Sequence, residues 1–206
     1  MDIIFKYFNG LDPQQKGRIE SLKDLYLKWN SMINVISRKD MDNFYERHIL
    51  HSMAISRFIN FTPLTKIVDV GTGGGFPGIP LAIMFPEVEF TLLDSIGKKI
   101  KVVEAVADAL ELKNIQTANL RSEQHKEQYD FVVSRAVAAM PVFISQTRHL
   151  VSKEQRNAVS NGVICLKGGD LEEEMKTFRN AATEIRLSEY FSEEFFQTKC
   201  LIHIPL

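Results

Sequence analysis

The stretch Asp69-Val70-Gly71-Thr72-Gly73-Gly74-Gly75-Phe76-Pro77-Gly78 follows the apolar pair Ile67-Val68 and runs straight into Ile79-Pro80-Leu81-Ala82-Ile83-Met84-Phe85. A short buried strand, a glycine turn and a helix, in that order, make the corner of an α/β sheet that holds a nucleotide-like ligand. Gly73-x-Gly75-x-x-Gly78 formally meets the dinucleotide spacing. A pyrophosphate, however, needs free backbone N–H groups and the positive end of a helix dipole. Pro77 and Pro80 have no N–H to offer at that turn, and Asp69 puts a negative charge at the strand end. Both features suit a ligand with sulfonium and ammonium groups on an adenosine, which is S-adenosylmethionine. Glycines such as Gly73 let the backbone approach it without a Cβ clash. The competing reading is a tight strand-to-helix turn with no ligand.

A second carboxylate supports adenosine binding. Phe90-Thr91-Leu92-Leu93-Asp94 reads as the next strand, and Asp94 stands 23 residues beyond Gly71. An acid about 20 residues on is the usual partner of ribose hydroxyls. Nicotinamide enzymes and methyltransferases both use one, so Asp94 does not choose between them. It also reads as a cap for a helix beginning near Gly97.

Around the loop the pattern alternates. Strands are expected at 66–70, 89–94, 115–118, 130–134 and 162–167, with helical stretches at 78–85, 97–111, 122–127, 138–150 and 171–182. Two strand-like runs, 185–191 and 199–204, follow without a helix between them. The expectation is an α/β fold, Rossmann-like, with a mostly parallel seven-stranded sheet that ends on an antiparallel hairpin. Before it, helical periodicity covers 13–35 through Ile19, Leu22, Leu25, Tyr26, Trp29, Met32 and Ile33, with Pro13 in the first turn. Asp42 is read as the N-cap of a second helix reaching Phe58. Residues 1–62 thus form an N-terminal helical segment and 63–206 the α/β domain, in one compact unit overall.

Bulk properties exclude several classes. At 206 residues with a net charge of −1, the chain is not one that coats nucleic acid indiscriminately. Residues 1–60 carry nine Lys/Arg against seven Asp/Glu, which permits a local phosphate-binding face. No apolar run reaches membrane-spanning length and the start lacks a signal core, so a cytoplasmic protein with no membrane partner is expected. Cys165 and Cys200 lie in apolar runs and read as small core residues. The histidines lack ligand spacing; His48 and His51 are a near pair with no third partner, and no metal is expected.

Several stretches taken together resemble one family: Lys28-Trp29-Asn30-x-x-Ile33-Asn34, Glu46-Arg47-His48-Ile49-Leu50, the glycine loop through Pro80, Leu92-Leu93-Asp94-Ser95 with Lys98-Lys99, Arg121-x-Glu123, Tyr129-Asp130-x-Val132-x-Ser134-Arg135-Ala136-Val137, and Lys167-Gly168-Gly169. They are similar to the bacterial 16S rRNA guanine-N7 methyltransferases, RsmG or glucose-inhibited division protein B, from about Lys28 to about Glu174. The resemblance implies a class I S-adenosylmethionine-dependent methyltransferase acting on a guanine of 16S rRNA; the naked rRNA or the small ribosomal subunit particle is the expected partner, and a monomer is expected. Carried over, the family's cofactor contacts fall on Gly71, Phe76, Ser122, Glu123 and Arg135. The chain departs from the family at His51, where an aspartate is usual, at Ser122, where a small apolar residue is usual, and across 153–160.

The residue types limit the chemistry. Methylation of an exocyclic amine usually comes with an Asn/Asp-Pro-Pro-aromatic turn after the fourth strand, where this chain has Ser134-Arg135-Ala136-Val137. A pyrimidine carbon needs a loop cysteine, and neither cysteine is so placed. Guanine N7 has a free lone pair and no proton, so alignment suffices and no catalytic base is assigned. Arg135 is the candidate for orientation, because its fork suits a carboxylate, a phosphate or a guanine edge. A surface ion pair is its bland alternative. Candidates to grip RNA are Arg38-Lys39, Arg47-His48, Lys98-Lys99 with Lys101, and Arg121. A nicotinamide oxidoreductase, a small-molecule methyltransferase and a non-catalytic RNA-binding module remain the alternatives.

Overall fold

Strands buried on both faces need continuous apolar runs, and the runs beyond residue 65 supply them. The computed structural model of the chain describes residues 1–135 and 138–206, and only the backbone at Arg38 and Lys39. The described residues form one sheet of seven strands: β1 (Lys66–Val70), β2 (Glu89–Leu93), β3 (Ile115–Ala118), β4 (Phe131–Arg135), β5 (Gly162–Gly168), β6 (Thr183–Arg186) and β7 (Lys199–Pro205). Their order is β3-β2-β1-β4-β5-β7-β6. β1 to β5 run parallel, and β7 lies antiparallel to both β5 and β6. The order reverses between β1 and β4, which is where such sheets open a crevice at the carboxyl ends of their strands.

Alternation along the strands divides the core between two faces. Val68, Val132, Val163 and Ile202 pack with Phe143 and Leu150 on one side. Ile67, Phe131, Ile164 and Leu201 join the larger cluster on the other, and that cluster takes in Ile4, Tyr26, Phe44, Ile49 and Met53 from the N-terminal helices. Each large apolar side chain buried this fully contributes about 1.5–3 kcal/mol.

Those helices are α1 (Asp2–Tyr7), α2 (Pro13–Asn30), α3 (Arg38–Met41), a π-helical turn at Tyr45–Leu50, α4 (His51–Met53) and α5 (Ile55–Phe58). α2 begins with a reciprocal cap: Gln15 N–H donates to Asp12 Oδ1 at 2.8 Å, and Asp12 N–H to Gln15 Oε1 at 3.0 Å. Gln15 Nε2 then donates to the Ile83 carbonyl at 3.0 Å, binding α2 to α6 (Gly78–Met84). α1, not read from the sequence, packs on the π-helical turn and reaches the other end of the chain. The Tyr7 and Phe191 rings meet edge-on at 4.9 Å, and Lys6 Nζ pairs with Glu193 Oε1 at 2.9 Å.

The structure corrects several boundaries. α2 stops at Asn30, short of the expected 35, because Asn30 Oδ1 accepts the Val35 and Ile36 N–H groups, both at 2.9 Å. Met32, expected on the apolar face, is 60% exposed. Asp42 does not cap the second helix. It closes α3, which Ser37 caps, and the next helix starts at Tyr45 as a π-helical turn. The helix expected at 122–127 is a single 3-10 turn, Ser122–Gln124. Among the described residues beyond α7 (Gly97–Ala109), α8 (Met140–Thr147) continues as a 3-10 turn over Arg148–Leu150 and α9 (Glu172–Met175) as one over Lys176–Phe178, so the expected stretches 138–150 and 171–182 are helical in the main but the second ends early. Pro141 sets the start of α8, and Thr177, Phe178 and Asn180 are poor helix formers beyond α9. The run 185–191 leaves the sheet at Arg186, because Leu187 and Phe191 turn inward to be buried against Phe196.

Candidate active site

The loop between β1 and α6 uses its glycines where the backbone is left-handed: φ is +70° at Gly71, +60° at Gly73 and +95° at Gly75. Its N–H groups are turned inward. Gly71 and Thr72 donate to the Leu93 carbonyl, Gly75 and Phe76 to the Thr72 carbonyl, and Ile79 to that of Gly75. Gly73 N–H goes to Asp94 Oδ2 at 3.0 Å and Gly78 N–H to Asp69 Oδ2 at 2.8 Å. Among the loop's N–H groups only that of Gly74 is left without an acceptor in the described residues, a poor cradle for a pyrophosphate, which counts against the nicotinamide reading.

Asp69 is a correction. It was expected to face a cationic ligand, yet it is 0% exposed and holds the loop from beneath, taking the Thr72 hydroxyl at 2.6 Å as well as the Gly78 N–H. Burial pushes its carboxyl up to about 7, against the pull of those two hydrogen bonds. Its Oδ1 is buried with no partner among the described residues.

Asp94 lies just past the end of β2. One oxygen takes Gly73 N–H, the other takes Ile96 N–H at 2.9 Å, and Lys99 Nζ lies 3.8 Å from Oδ2. Each oxygen keeps a lone pair for a further donor. Asn119 Nδ2 holds the Asp94 carbonyl at 2.8 Å. Asp94 bonds the residue before α7 and does not cap that helix, whose N-cap Ile96 has no side-chain bond. A cavity of about 180 Å³ opens here, lined by Gly71, Asp94, Arg121, Ser122, Glu123 and Gln146, among others. A Cβ added at Gly73 meets only the Gly71 carbonyl, at 3.9 Å, so the space over the loop is open. An acid with two anchored oxygens beside an open glycine loop fits the ribose of an adenosyl ligand.

Arg135 is the last residue of β4, not a residue beyond it. Its guanidinium lies 5.0 Å over the Phe76 ring, donates through Nη1 to the Arg47 carbonyl at 3.1 Å, and meets His48 Nδ1 through Nη2 at 2.9 Å. No carboxylate of the described residues lies within ion-pair distance of it. Burial lowers it to about 10, so it stays a cation at neutral pH. It lines a second cavity, of about 550 Å³, with Arg47, His48, His51, Lys167 and Lys199. Burial keeps both histidines neutral: His48 is pushed down to about 3, with Arg135 adding to the effect, and His51 is lowered well below the ordinary value. Phe76 forms the wall between loop and helices, with its ring 4.9 Å from Tyr26 and 5.2 Å from His48.

Gly71, Asp94, Ser122 and Glu123 therefore line one cavity and Arg135 the other; Phe76, against Arg135, and Gly73, bonded to Asp94, belong to the loop that links the two, and Asp69 lies beneath that loop in β1. Sequence reasoning missed Gln146 and Asn119, which no motif marks, and the Arg135–His48 contact. Tyr26, which anchors the Gly74 carbonyl at 2.5 Å, was read only as core. Ala136 and Val137 of the expected turn, and the side chains of Arg38 and Lys39, lie outside the described residues. Lys98, Lys101 and Arg121 are exposed. Among the described residues, no group of three or more His, Cys, Asp or Glu is placed to hold a metal, and no helix is long and apolar enough to cross a membrane.

The fold is shared with solved methyltransferases. A SAM-dependent O-methyltransferase from Thermotoga maritima superposes with a TM-score of 0.60 over 81% of this chain and 70% of that one, at 11% identity. A SAM dependent methyltransferase from Aquifex aeolicus gives 0.58 over 83% and 100%, also at 11% identity. Sheet order and switch-point loop are accordingly those of the class I S-adenosylmethionine-dependent methyltransferase fold. The sequence narrows this further, since residues 15–201 match the GidB family, rRNA small subunit methyltransferase G. The protein named Ribosomal RNA small subunit methyltransferase G in Phocaeicola vulgatus is 52% identical over 206 residues, 100% of this chain and 99% of that protein. The protein of the same name in Flavobacterium johnsoniae is 53% identical over 100% and 98%. The chain belongs to the rRNA small subunit methyltransferase G family, and S-adenosylmethionine is its methyl donor.

Proposed function

We propose that this chain methylates N7 of a guanine in the 16S rRNA of the small ribosomal subunit, acting in the cytoplasm as a monomer. The observation that carries the choice of atom is Arg135 at the end of β4. A guanidinium can donate hydrogen bonds but can neither accept one from an exocyclic amine nor take a proton. With that position offering neither an amine acceptor nor a base, the methyl goes to an atom that is already nucleophilic and carries no hydrogen. The names of the relatives support rRNA as the substrate.

In this reading the two Asp94 oxygens receive the ribose hydroxyls, and the backbone at Gly71 and Gly73 runs alongside the donor. Ser122, through its backbone N–H, and Glu123 flank the adenine. Arg135 takes the methionine carboxylate, while Phe76 backs the guanidinium. When bound, S-adenosylmethionine supplies an activated methyl on a sulfonium. Holding that methyl in line with N7 is the remaining task, and positioning of this kind supplies about 7–11 kcal/mol. Asp69, below the loop, contributes its field and the loop's shape without acting as a base. The exposed Lys98, Lys101 and Arg121 flank the mouth and receive the RNA backbone.

The test is nucleoside mass analysis of 16S rRNA after incubating the purified chain and S-adenosylmethionine with unmethylated small subunits. The reading requires new 7-methylguanosine. A methyl on an exocyclic amine or on ribose would sink it.

A further inference from the structure

A half-buried cation with no carboxylate in ion-pair reach is oriented by neutral groups, and Arg135 has two of them on one element. Both the Arg47 carbonyl and His48 Nδ1 belong to the π-helical turn Tyr45–Leu50. Such turns add a residue per helical turn and recur at functional sites. We infer that His48 is the positioning residue of Arg135, its Nδ1 lone pair aiming the guanidinium so that its unused N–H donors face the methionine carboxylate of the donor. The inference rests on the role proposed above for Arg135.

The direction of the hydrogen bond follows from the chemistry of the two groups. Arg135 can only donate, so His48 Nδ1 must be unprotonated, and a neutral ring then carries its hydrogen on Nε2. The environment enforces that state. His48 packs beside the Phe44 and Phe76 rings, at 6.0 and 5.2 Å, which also meet each other at 6.2 Å, and burial with Arg135 nearby pushes it down to about 3. A protonated ring would present N–H to N–H at 2.9 Å and drive the guanidinium away. The same histidine therefore packs the loop through Phe76 and orients the guanidinium lying 5.0 Å over that same ring. Two of the five guanidinium N–H groups are used in this way, and the rest remain for a ligand.

The test is calorimetric titration of the full chain with S-adenosylhomocysteine, which keeps the same carboxylate, in His48→Phe, His48→Asn, Arg135→Ala and the two double variants. Phenylalanine preserves the packing and removes the acceptor; asparagine places an oxygen close to the Nδ1 position. His48→Phe is expected to weaken binding about tenfold, as loss of a hydrogen bond to a charged group does, and His48→Asn to recover most of it. In the Arg135→Ala background His48→Phe should cost nothing further, because it acts through a group already gone. Unchanged affinity in His48→Phe, or an equal loss in both backgrounds, overturns the inference. Unchanged affinity in Arg135→Ala alone overturns the underlying role of Arg135 and the inference with it. If His48→Phe does not fold, His48→Ala against His48→Asn makes the same comparison, with thermal unfolding of each ligand-free variant separating stability from binding.

Discussion

Asp94 accepts the Gly73 N–H at 3.0 Å across 21 residues of sequence, so the acid at the end of β2 and the glycine loop after β1 are one unit. Its second oxygen, on the Ile96 N–H, leaves the carboxylate no freedom to rotate. Preorganisation of this kind removes an ordering cost that binding would otherwise bear.

Gly73→Val tests the loop. Gly73 has φ +60°, where a β-branched residue is strained by about 1–3 kcal/mol, and the added side chain projects into the open space over the Gly71 carbonyl. The variant is expected to fold with reduced stability and to lose measurable donor binding in calorimetry. Wild-type affinity in Gly73→Val removes the loop from the site.

Asp94→Asn replaces two accepting oxygens with one, so either Gly73 or Ile96 loses its partner. The expected stability loss is about 1 kcal/mol, with donor affinity down at least about tenfold. A variant that binds S-adenosylhomocysteine normally while showing the stability loss reduces Asp94 to a structural clamp.

The pH dependence of catalysis follows from the absence of a working base in the proposed mechanism. At saturating donor and in single turnover, the methylation rate should be flat from about pH 6 to about pH 9. His48 at about 3 and His51, lowered by burial, do not change charge in that range. Asp69, near 7, titrates beneath the loop, so its effect belongs to donor affinity. A steep rise near neutrality that survives Asp69→Asn makes one of the histidines a catalyst.

Stability against pH carries two opposed contributions. Asp69 is raised from 3.8 to about 7, so the folded state keeps a proton that the unfolded chain has lost; its contribution is full below about pH 4 and disappears as pH rises through about 7. His48 is lowered from 6.5 to about 3, so its contribution is full above 6.5 and disappears as pH falls toward 3. Asparagine at position 69 can still accept from Thr72 and Gly78 but cannot titrate. Urea unfolding of Asp69→Asn should therefore show stability climbing more steeply with pH, between about 4 and 6.5, than in the parent chain. Parallel curves reject the buried-acid account.

The parts of the fold that were legible are those where one local rule decides. β1, β2, β4 and β5 announce themselves as largely apolar runs, and the glycine loop and Asp94 follow from spacing. The misread parts depend on distant partners. Asn30 ends α2 by turning its side chain back on residues 35 and 36, and Leu187 and Phe191 forsake strand geometry for a place beside Phe196. Asp69 could be placed at a strand end from sequence, yet only the packing of α6 shows that it faces inward. His48 and Arg135 are 87 residues apart, and nothing local in either stretch foretells the contact.

Tyr7 against Phe191 and Lys6 against Glu193 join the two extremities of the polypeptide. The first helix is thus held on two sides, by the π-helical turn and by a segment some 186 residues further along. The turn that carries His48 is clasped through α1 to a region far off in sequence, so loosening that remote hold would slacken the seat of the Arg135 guanidinium.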